Sequence, residues 1–318
     1  MELQIQKFMR SGKTFEELKE SYGISVTEHP EFPIVIFNYS QIDSPKMEKI
    51  VHECRGLVLE WGTWNIVARS FERFFNLGEA SELQESFNWN NFSTTSKEDG
   101  SVFMMFHYAG QWLVKTRNSW ANGFVNEELG LTWVQLFEQA THGMLAKLNS
   151  GIPGLGFFPN HTYTVEIASP YNKIVRMYPQ PVAYLLAVHT HGCGFEYDNV
   201  AMDRLTELTE AGALRRPEVY RFRSLAEVEA FIKMKEETEP TFEGVVVRDN
   251  NNNRIKIKSS SYISLHHLRG EGESLFKAKN HVPLILAGET EELLSYFPEA
   301  KEFHLGVKPR WNRLFRNC

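Results

Sequence analysis

The sequence predicts an α+β protein whose central part is rich in antiparallel strands and whose C-terminal end is a small helical appendage. Short apolar runs with period-two alternation follow one another in the middle of the chain, separated by turn residues. After Tyr262 the pattern changes to longer segments with helical spacing. At 318 residues the chain can form one large domain or two smaller ones.

The strand predictions rest on alternation and on turn residues. The run "SVFMMFHYAGQWLVKT" (residues 101–116) predicts a hairpin that turns at Ala109 and Gly110. Four further strands are predicted at "YTVEIAS", "PVAYLLAVHT", "FEGVVVR" and "RIKIKS". Between the last two, Asp249–Asn253 predicts a turn because Asn and Asp tolerate positive φ.

Helical spacing is found in six segments, and the fourth opens on the capping box "SLAE". The predicted helices are Thr14–Tyr22, a stretch around Val125–Leu148, Val200–Leu214, Ser224–Glu236, Ser274–Ala287 and Glu289–Phe297. We therefore predict one domain over residues 1–265 and a small helical domain over residues 266–318.

Net charge, apolar runs and cysteine content limit the classes of protein to which this chain can belong. The net charge of −6 argues against a general nucleic-acid coat protein, although it leaves room for a nucleic-acid enzyme with local basic surfaces. No apolar run is long enough to span a membrane, and three scattered cysteines predict unpaired thiols. We therefore expect an intracellular protein. The basic tail "VKPRWNRLFRNC" is either a solvated tail or a contact for phosphates.

Four groups of charged residues fall in or beside predicted strands. They are the segment 97–101 ("KEDGS"), Glu166, Glu243, and the pair Lys256 and Lys258. Lys256 and Lys258 are two residues apart, so they share one face of a strand. Taken singly, each group has an ordinary explanation as a surface or strand-edge charge.

Taken together, the four groups fit a site for a metal-bound nucleoside triphosphate. Carboxylates suit Mg²⁺ or Mn²⁺, and lysines suit phosphate oxygens. Only about one part in a thousand of a free lysine is neutral near neutral pH, and neighbouring cations increase that fraction by lowering its pKa. Lys97 is the candidate nucleophile, and we expect Gly100 to allow close approach to the nucleotide or an unusual backbone conformation.

The motifs resemble those of the covalent nucleotidyltransferases, which comprise ATP- and NAD-dependent ligases and mRNA-capping guanylyltransferases. "KEDGS" matches the K-x-D-G nucleophile motif, and "TVEIA", "EGVVV" and "KIK" follow in the family's order. More closely, "ECRGLVLE", "FERFFNLGE", "SPYNKIV" and "KIKSSSYISLHH" resemble landmarks of the T-even phage RNA ligase 1 type over residues 35–266. The fold implied is a nucleotidyltransferase (ATP-grasp-like ligase) domain, so residues 1–265 would be an adenylyltransferase domain with an N-terminal extension.

The resemblance also implies roles for individual residues. Lys97 would form lysyl-AMP, Arg55 would contact the outer ATP phosphates, and Glu166 and Glu243 would serve the ribose and the metal ion. The full set of implied cofactor-binding residues is Arg55, Lys97, Glu98, Lys115, Glu166, Leu186, Glu243, Val246, Lys256 and Lys258.

Three of these assignments have alternatives. Leu186 and Val246 either sandwich the adenine or belong to ordinary strand core. Lys115, alone or with Arg117, would touch nucleotide phosphate or ribose, but the segment "KTRNS" departs from the family's K-x-K-G-S.

The expected activity is that of an ATP-dependent RNA ligase that uses ATP and Mg²⁺ or Mn²⁺. It would join RNA 5′-phosphate and 3′-hydroxyl ends, with single-stranded RNA expected, and act as a monomer in the cytoplasm, or in the host cytoplasm if phage-encoded. The alternatives are a DNA ligase or capping-type guanylyltransferase, and a non-catalytic RNA-binding relative. Only 60 residues follow Lys258, too few for the β-barrel that DNA ligases and capping enzymes usually append, which favours RNA ligase.

Overall fold

The computed structural model describes residues 2–41, 43–151, 156–192, 194–210, 212–269 and 303. Its helices are α1 (Gln4–Arg10), α2 (Phe15–Tyr22), α3 (Lys49–Glu53), α4 (Ser81–Gln84), α5 (Trp133–Ala140), α6 (Met144–Asn149), α7 (Asn199–Leu208), α8 (Leu225–Thr238) and α9 (Ser260–Arg269). Its strands are β1 (Ile24–Glu28), β2 (Ile34–Tyr39), β3 (Arg55–Glu60), β4 (Ile66–Ala68), β5 (Phe75–Asn76), β6 (Phe92–Ser96), β7 (Ser101–Tyr108), β8 (Gln111–Thr116), β9 (Phe124–Asn126), β10 (Leu131–Thr132), β11 (His161–Ala168), β12 (Val182–Thr190), β13 (Val219–Tyr220), β14 (Gly244–Asp249) and β15 (Arg254–Lys258).

The chain divides into two compact units. The first comprises Met1–Lys173, Tyr178–Leu225 and Val245–Ile257. The second comprises Ile174–Met177, Ala226–Gly244 and, among the described residues, 258–269 and 303.

Four sheets account for the strands. Their orders are β1-β2-β3-β4, β10-β9, β12-β11-β7-β8 and β13-β6-β14-β15-β5. Among the strand pairs whose register the structure describes, only β15 with β5 is parallel. The α+β class and the antiparallel-rich architecture predicted from the sequence are confirmed.

The sheet β12-β11-β7-β8 has two chemically different faces. One face packs against α5, α6 and α7 and forms a core that includes Phe103, Tyr163, Val165 and Leu185. Because side chains alternate along a strand, Glu166 lies on the opposite face of β11. Lys115 of β8 lies opposite Met104 of β7. Phe103 and Met105, on either side of Met104, point into the core, so Met104 and Lys115 lie on the opposite face, the same face as Glu166.

The N-terminal sheet, β1 to β4, was not predicted from the sequence. Its strands pair in antiparallel order, and a second core lies between this sheet and the helices α1 to α3. All six residues of β2 are buried, so period-two alternation gives no signal there.

The predicted helix around Val125–Leu148 is wrong in its first part. Residues 124–132 instead form the short β9–β10 pair, with Gly130 at positive φ in the turn. Thr132 then caps α5 in a capping box with Gln135, which sets the start of the helix. The predicted helix over Val200–Leu214 ends six residues early, at Leu208.

Other local predictions are confirmed. The 101–116 hairpin turns at Ala109 and Gly110, both at positive φ. In the turn between β14 and β15, Asp249 accepts hydrogen bonds from the N–H groups of Asn251 and Asn253. The helices predicted over Thr14–Tyr22 and Ser224–Glu236 correspond to α2 and α8.

The predicted helices Ser274–Ala287 and Glu289–Phe297 and the basic tail lie outside the described residues. In the part of the chain that is described, no helix is both long enough and apolar enough to span a membrane.

Candidate active site

Lys97 lies on a short connection between two sheets of the first unit. Residues 97–100 join β6, in the five-stranded sheet, to β7, in the four-stranded sheet. Along β6, Thr94 and Ser96 are buried, whereas Thr95 and Lys97 are half-buried. Continuing this alternation places Lys97 on the side of β6 that carries Thr95.

Gly100 packs directly against backbone of β11. A Cβ atom at this position would lie 2.3 Å from the carbonyl oxygen of Ile167, the residue after Glu166. The φ of Gly100 is not in the positive region, so of the two roles expected for this glycine its φ does not support the unusual conformation. In this structure the glycine allows close approach to the protein's own backbone, which holds the Lys97 connection beside Glu166.

Glu98 and Tyr178 hold the same connection from within the first unit. Tyr178 Oη donates to Glu98 Oε2 at 2.9 Å and accepts from the Asp99 N–H at 3.3 Å. Ser96 donates to the other carboxylate oxygen of Glu98. Both oxygens of Glu98, a predicted cofactor-binding residue, are therefore hydrogen bonded inside the protein.

Arg55 begins β3 and is enclosed by aromatic rings. Its guanidinium lies 4.5 Å from the ring centre of Phe71 and 5.9 Å from that of Phe74. Burial lowers the pKa of Arg55 to about 10, and attraction to Glu166 opposes that shift. Its Nη1 is buried and has no hydrogen-bond partner among the residues that the structure describes. Such a buried cationic N–H is suited to bind an anionic ligand.

Glu166 is buried near the middle of β11, between Val102 of β7 and Tyr184 of β12. It shares its face of β11 with Thr164, whose Oγ1 donates to the hydroxyl oxygen of Ser70. The face is thus polar, in contrast to the apolar core on the other side of the same strand.

Lys115 is fully buried, with 0% of its surface exposed. Its Nζ donates to the carbonyl oxygens of Thr116 (2.8 Å) and Arg117 (3.3 Å). Burial lowers the pKa of Lys115 well below its usual value, and repulsion from Arg55 and Arg117 lowers it further. The structure thus places this amine on backbone carbonyls beside Arg55.

Gly56 allows Arg55 to lie close to this lysine. The glycine has φ of +71°, and a Cβ atom there would lie 2.7 Å from the carbonyl oxygen of Arg117 and 3.0 Å from Lys115 Nζ. Any other residue at this position would push β3 away from β8.

Lys256 and Arg254 extend the basic group along β15. Lys256 Nζ lies 5.0 Å from the centre of the Phe74 ring, and the Arg254 guanidinium lies 4.7 Å from that of Phe71. The two rings, in the segment "FERFF", therefore contact three cations. The role of these rings was not predicted from the sequence, although the alternation of aromatic and basic residues in "RSFERFF" is a visible signal.

Leu186 and Val246 are both half-buried. In the pairing of β11 with β12, Thr164 lies opposite Ala187 and the next residue, Val165, lies opposite Leu185. Leu186, between Leu185 and Ala187, is therefore the extra residue of a β-bulge. Val246 pairs with Thr95, two residues before Lys97.

Glu243 and Lys258 belong to the second unit, where they form an ion pair with 3.0 Å between Nζ and Oε1. The Ser259 N–H also donates to the Glu243 carbonyl oxygen at 3.0 Å. Lys258 Nζ lies 5.4 Å from the ring centre of Tyr262.

Within the described residues, no group of three or more His, Cys, Asp or Glu side chains could hold a metal ion by itself. His189 is paired with Glu196. In other proteins, Mg²⁺ beside phosphates is often held by one or two carboxylates together with phosphate oxygens.

Both a protein-family model and a known protein match this chain. A family model described as RNA ligase matches residues 53–275. A protein of Autographa californica nuclear polyhedrosis virus, provisionally described as a bifunctional polynucleotide kinase/RNA ligase, is 27% identical over 326 residues. That match covers 96% of this chain but only 43% of the viral protein.

Two solved structures share the fold at low sequence identity. The first structure is an archaeal ATP-dependent RNA ligase, with a TM-score of 0.53 at 15% identity. The match covers 92% of this chain and 77% of the archaeal chain. The second structure is a protein provisionally described as an ATP-dependent DNA ligase from Aquifex aeolicus, with a TM-score of 0.50 at 15% identity. The match covers 92% of this chain and 75% of the Aquifex protein. The fold alone therefore does not separate RNA substrates from DNA substrates.

Proposed function

This chain belongs to the RNA ligase family, and from that premise we propose that it is an ATP-dependent RNA ligase. It would join RNA 5′-phosphate and 3′-hydroxyl ends through a covalent lysyl-AMP and an RNA-adenylate. The chain spans 43% of the length of the viral relative, so the kinase activity in that relative's description is not part of the proposal.

The observation that carries the proposal is the contact of the Lys97 connection with β11. Gly100 fixes this connection against Ile167, next to Glu166, and Glu166 in turn attracts the buried Arg55. The arrangement supports a lysine held near one carboxylate and near a guanidinium whose Nη1 has no partner in the described part of the chain. A nucleoside triphosphate supplies the anionic oxygens that such a guanidinium binds.

In the first step, the neutral Lys97 amine attacks the α-phosphorus of ATP. A nitrogen–phosphorus bond forms, the bond from the α-phosphorus to the bridging oxygen breaks, and pyrophosphate leaves with that electron pair. The amine loses a proton to solvent in the same step. Arg55 would bind the outer phosphates and so stabilise the negative charge on the leaving group.

In the second step, an oxygen of the RNA 5′-phosphate attacks the same phosphorus, and the bond to Lys97 breaks. The amine regains a proton, and the product is RNA joined to AMP through a pyrophosphate linkage. In the third step, the RNA 3′-hydroxyl attacks the 5′-phosphate phosphorus and AMP leaves. Lys256, whose ammonium lies over Phe74, is proposed to bind the α-phosphate during these transfers.

A divalent cation fits this site as an ion held mainly by phosphate oxygens. We propose Glu166 as its protein ligand in the first unit, and Glu243 remains the second ligand predicted from the sequence. Mg²⁺ or Mn²⁺ would neutralise phosphate charge. The proposal also includes single-stranded RNA ends and a monomeric enzyme.

The test is transfer of label from ATP to protein. We would mix the protein with α-³²P-ATP and Mg²⁺, denature it, and measure label on the polypeptide. We expect label on the wild type, none on Lys97→Ala, and wild-type labelling of Lys19→Ala, since Lys19 is exposed on α2. Equal labelling of wild type and Lys97→Ala would refute the assignment of the nucleophile.

The acceptor is tested separately. The labelled enzyme is offered single-stranded RNA, nicked RNA duplex and single-stranded DNA, each with a 5′-phosphate and a 3′-hydroxyl. Joining of RNA and not of DNA is expected. Efficient joining of DNA would favour the DNA ligase alternative, and transfer of guanylate from GTP would favour a capping enzyme.

A further inference from the structure

The segment 169–172 follows β11 directly and is held by its own side chains. The Ser169 hydroxyl oxygen accepts hydrogen bonds from the N–H groups of Tyr171 (3.1 Å) and Asn172 (3.3 Å), and the hydroxyl donates to Asn172 Oδ1. Ser169 is buried, and a hydroxyl has one donor and two acceptor positions, so all of them are used inside this segment. The segment therefore fixes the orientation of the Asn172 amide.

The Asn172 amide joins the two strands that flank the candidate nucleophile and the candidate metal ligand. Its Nδ2 donates to the carbonyl oxygen of Ile167, in β11, at 2.7 Å and to Ser101 Oγ, in β7, at 3.0 Å. Ile167 is the residue after Glu166, and Ser101 is the first residue after the Lys97 connection. One side chain thus links the strand that carries the carboxylate to the connection that carries the amine.

Asn172 bonds to the same carbonyl group against which Gly100 packs. A Cβ atom at Gly100 would lie 2.3 Å from the Ile167 carbonyl oxygen and 3.1 Å from Ala168 Cα. Ile167 also pairs with Ser101 where β7 and β11 meet. Gly100 therefore gives the space for this close approach, and the amide gives the attraction that maintains it.

The amide has no donor left for a ligand. An asparagine side chain has two N–H donors, and both are used, one on Ile167 and one on Ser101. The Ile167 carbonyl can only accept, so the nitrogen and not the oxygen of the amide faces it. Any effect of Asn172 on the reaction therefore passes through the groups that it holds.

We propose that Asn172 is a positioning residue for lysyl-AMP formation. It holds the Lys97 connection against β11, and so sets the distance between the attacking amine and the α-phosphate of an ATP molecule bound beside Glu166. The inference rests on the proposed function and adds to it a residue outside the ATP-binding set. Without the amide we expect the connection to move, because β11 is paired with β7 on one side and with β12 on the other.

The test compares two reactions of Asn172→Ala. The first is formation of lysyl-AMP from α-³²P-ATP over a series of ATP concentrations. The second, without ATP, is sealing of a synthetic RNA that already carries AMP on its 5′-phosphate. We expect the first reaction to slow about tenfold to 100-fold at saturating ATP, as for a reacting group displaced by up to about 1 Å, with little change in KM for ATP. Sealing should stay within about threefold of the wild type, because no bond to Lys97 forms or breaks in that step.

Two further variants separate the hydrogen bonds. Asn172→Asp keeps the size and the acceptor for Ser169, but places an oxygen against the Ile167 carbonyl, so it should slow lysyl-AMP formation at least as much as Asn172→Ala. Ser101→Ala is milder, since it removes one acceptor and keeps the bond to Ile167. It should slow the same step by about threefold to tenfold, and it decides the question if the variants at position 172 do not fold.

The matched control is Asn149→Ala, in the same unit. Asn149 also bonds twice to a strand of this sheet, because its Oδ1 accepts from the Trp112 N–H at 2.7 Å and its Nδ2 donates to the Trp112 carbonyl oxygen at 3.0 Å. Trp112 pairs with His107, which is six residues, or about 20 Å, along β7 from Ser101. We expect this variant to keep the rates of both reactions, and thermal melts of every variant check that the fold is retained.

Three results would overturn the proposal. The first is lysyl-AMP formation within about twofold of the wild type in folded Asn172→Ala and Asn172→Asp, or an unchanged rate in Ser101→Ala if the other two do not fold. The second is equal slowing of both reactions, which would show a general loss of structure. The third is a raised KM for ATP at an unchanged maximal rate, which would place Asn172 on the nucleotide. Failure of the proposed function is seen separately, as absence of label on the wild-type protein.

Discussion

Gly100→Ala tests whether the backbone contact beside Glu166 positions the nucleophile. The added Cβ would lie 2.3 Å from the Ile167 carbonyl oxygen, so the connection must retreat by about 1 Å to reach an ordinary C···O contact of about 3.3 Å. Overpacking of this kind costs about 1–3 kcal/mol of folding free energy. A shift of about 1 Å in a reacting group lowers rates by about 100-fold.

The assay is the rate of lysyl-AMP formation from labelled ATP, with stability followed by urea unfolding. The matched control is Gly123→Ala, since a Cβ atom at Gly123 has no atom within 4 Å and the residue is not at positive φ. We expect the control to stay within about 0.5 kcal/mol of the wild type and to keep its rate. If folded Gly100→Ala forms lysyl-AMP within about twofold of the wild type, the backbone contact does not position Lys97, and the reasoning fails.

Two further predictions concern groups around the candidate site. Tyr178→Phe removes one donor to Glu98 and one acceptor for the Asp99 N–H, so unfolding should become easier by about 1–3 kcal/mol and lysyl-AMP formation should slow. An unchanged melting temperature and rate would show that this hydroxyl does not hold the connection. Burial raises the pKa of the Glu196 carboxyl, but Arg254 and His189 outweigh burial and hold that pKa well below its usual range. This carboxylate therefore stabilises the fold above the unfolded pKa of about 4.3, and the contribution is lost as pH falls below that value. Glu196→Gln should lower stability at pH 7 by about 3–5 kcal/mol, and its unfolding free energy should fall less steeply between pH 5 and pH 3 than that of the wild type. Parallel pH profiles for the two proteins would contradict the assignment.

Several elements could be predicted from local signals in the sequence. The 101–116 hairpin, the 249–253 turn and helix α8 follow from alternation, turn residues and helical spacing, and the structure has all three. The motif order also led to the correct family, because the residues of "KEDGS" and "ECRG" are contiguous in the chain.

The remaining parts depend on contacts between distant segments. Strand β2 is buried throughout, so its sequence carries no alternation, and the β9–β10 pair was hidden in a stretch with helical spacing. The contact of Gly100 with Ile167 and the stacking of Arg55 on Phe71 join segments far apart in sequence. No spacing rule in one sequence predicts them.

The connection from Lys97 to Gly100 has a consequence for how this protein tolerates change in chain length. Four residues extend over at most about 14 Å, and each end is anchored in a different sheet. Because Ser96 pairs with Val245 and Gly100 packs against Ile167, an inserted residue between them would displace the reactive amine or one of these two contacts. The turn 250–253 joins neighbouring strands of one sheet, where Asn250 to Asn252 are exposed and added length can loop into solvent. Loop-length variation should therefore accumulate at that turn and be excluded from the lysine-bearing link.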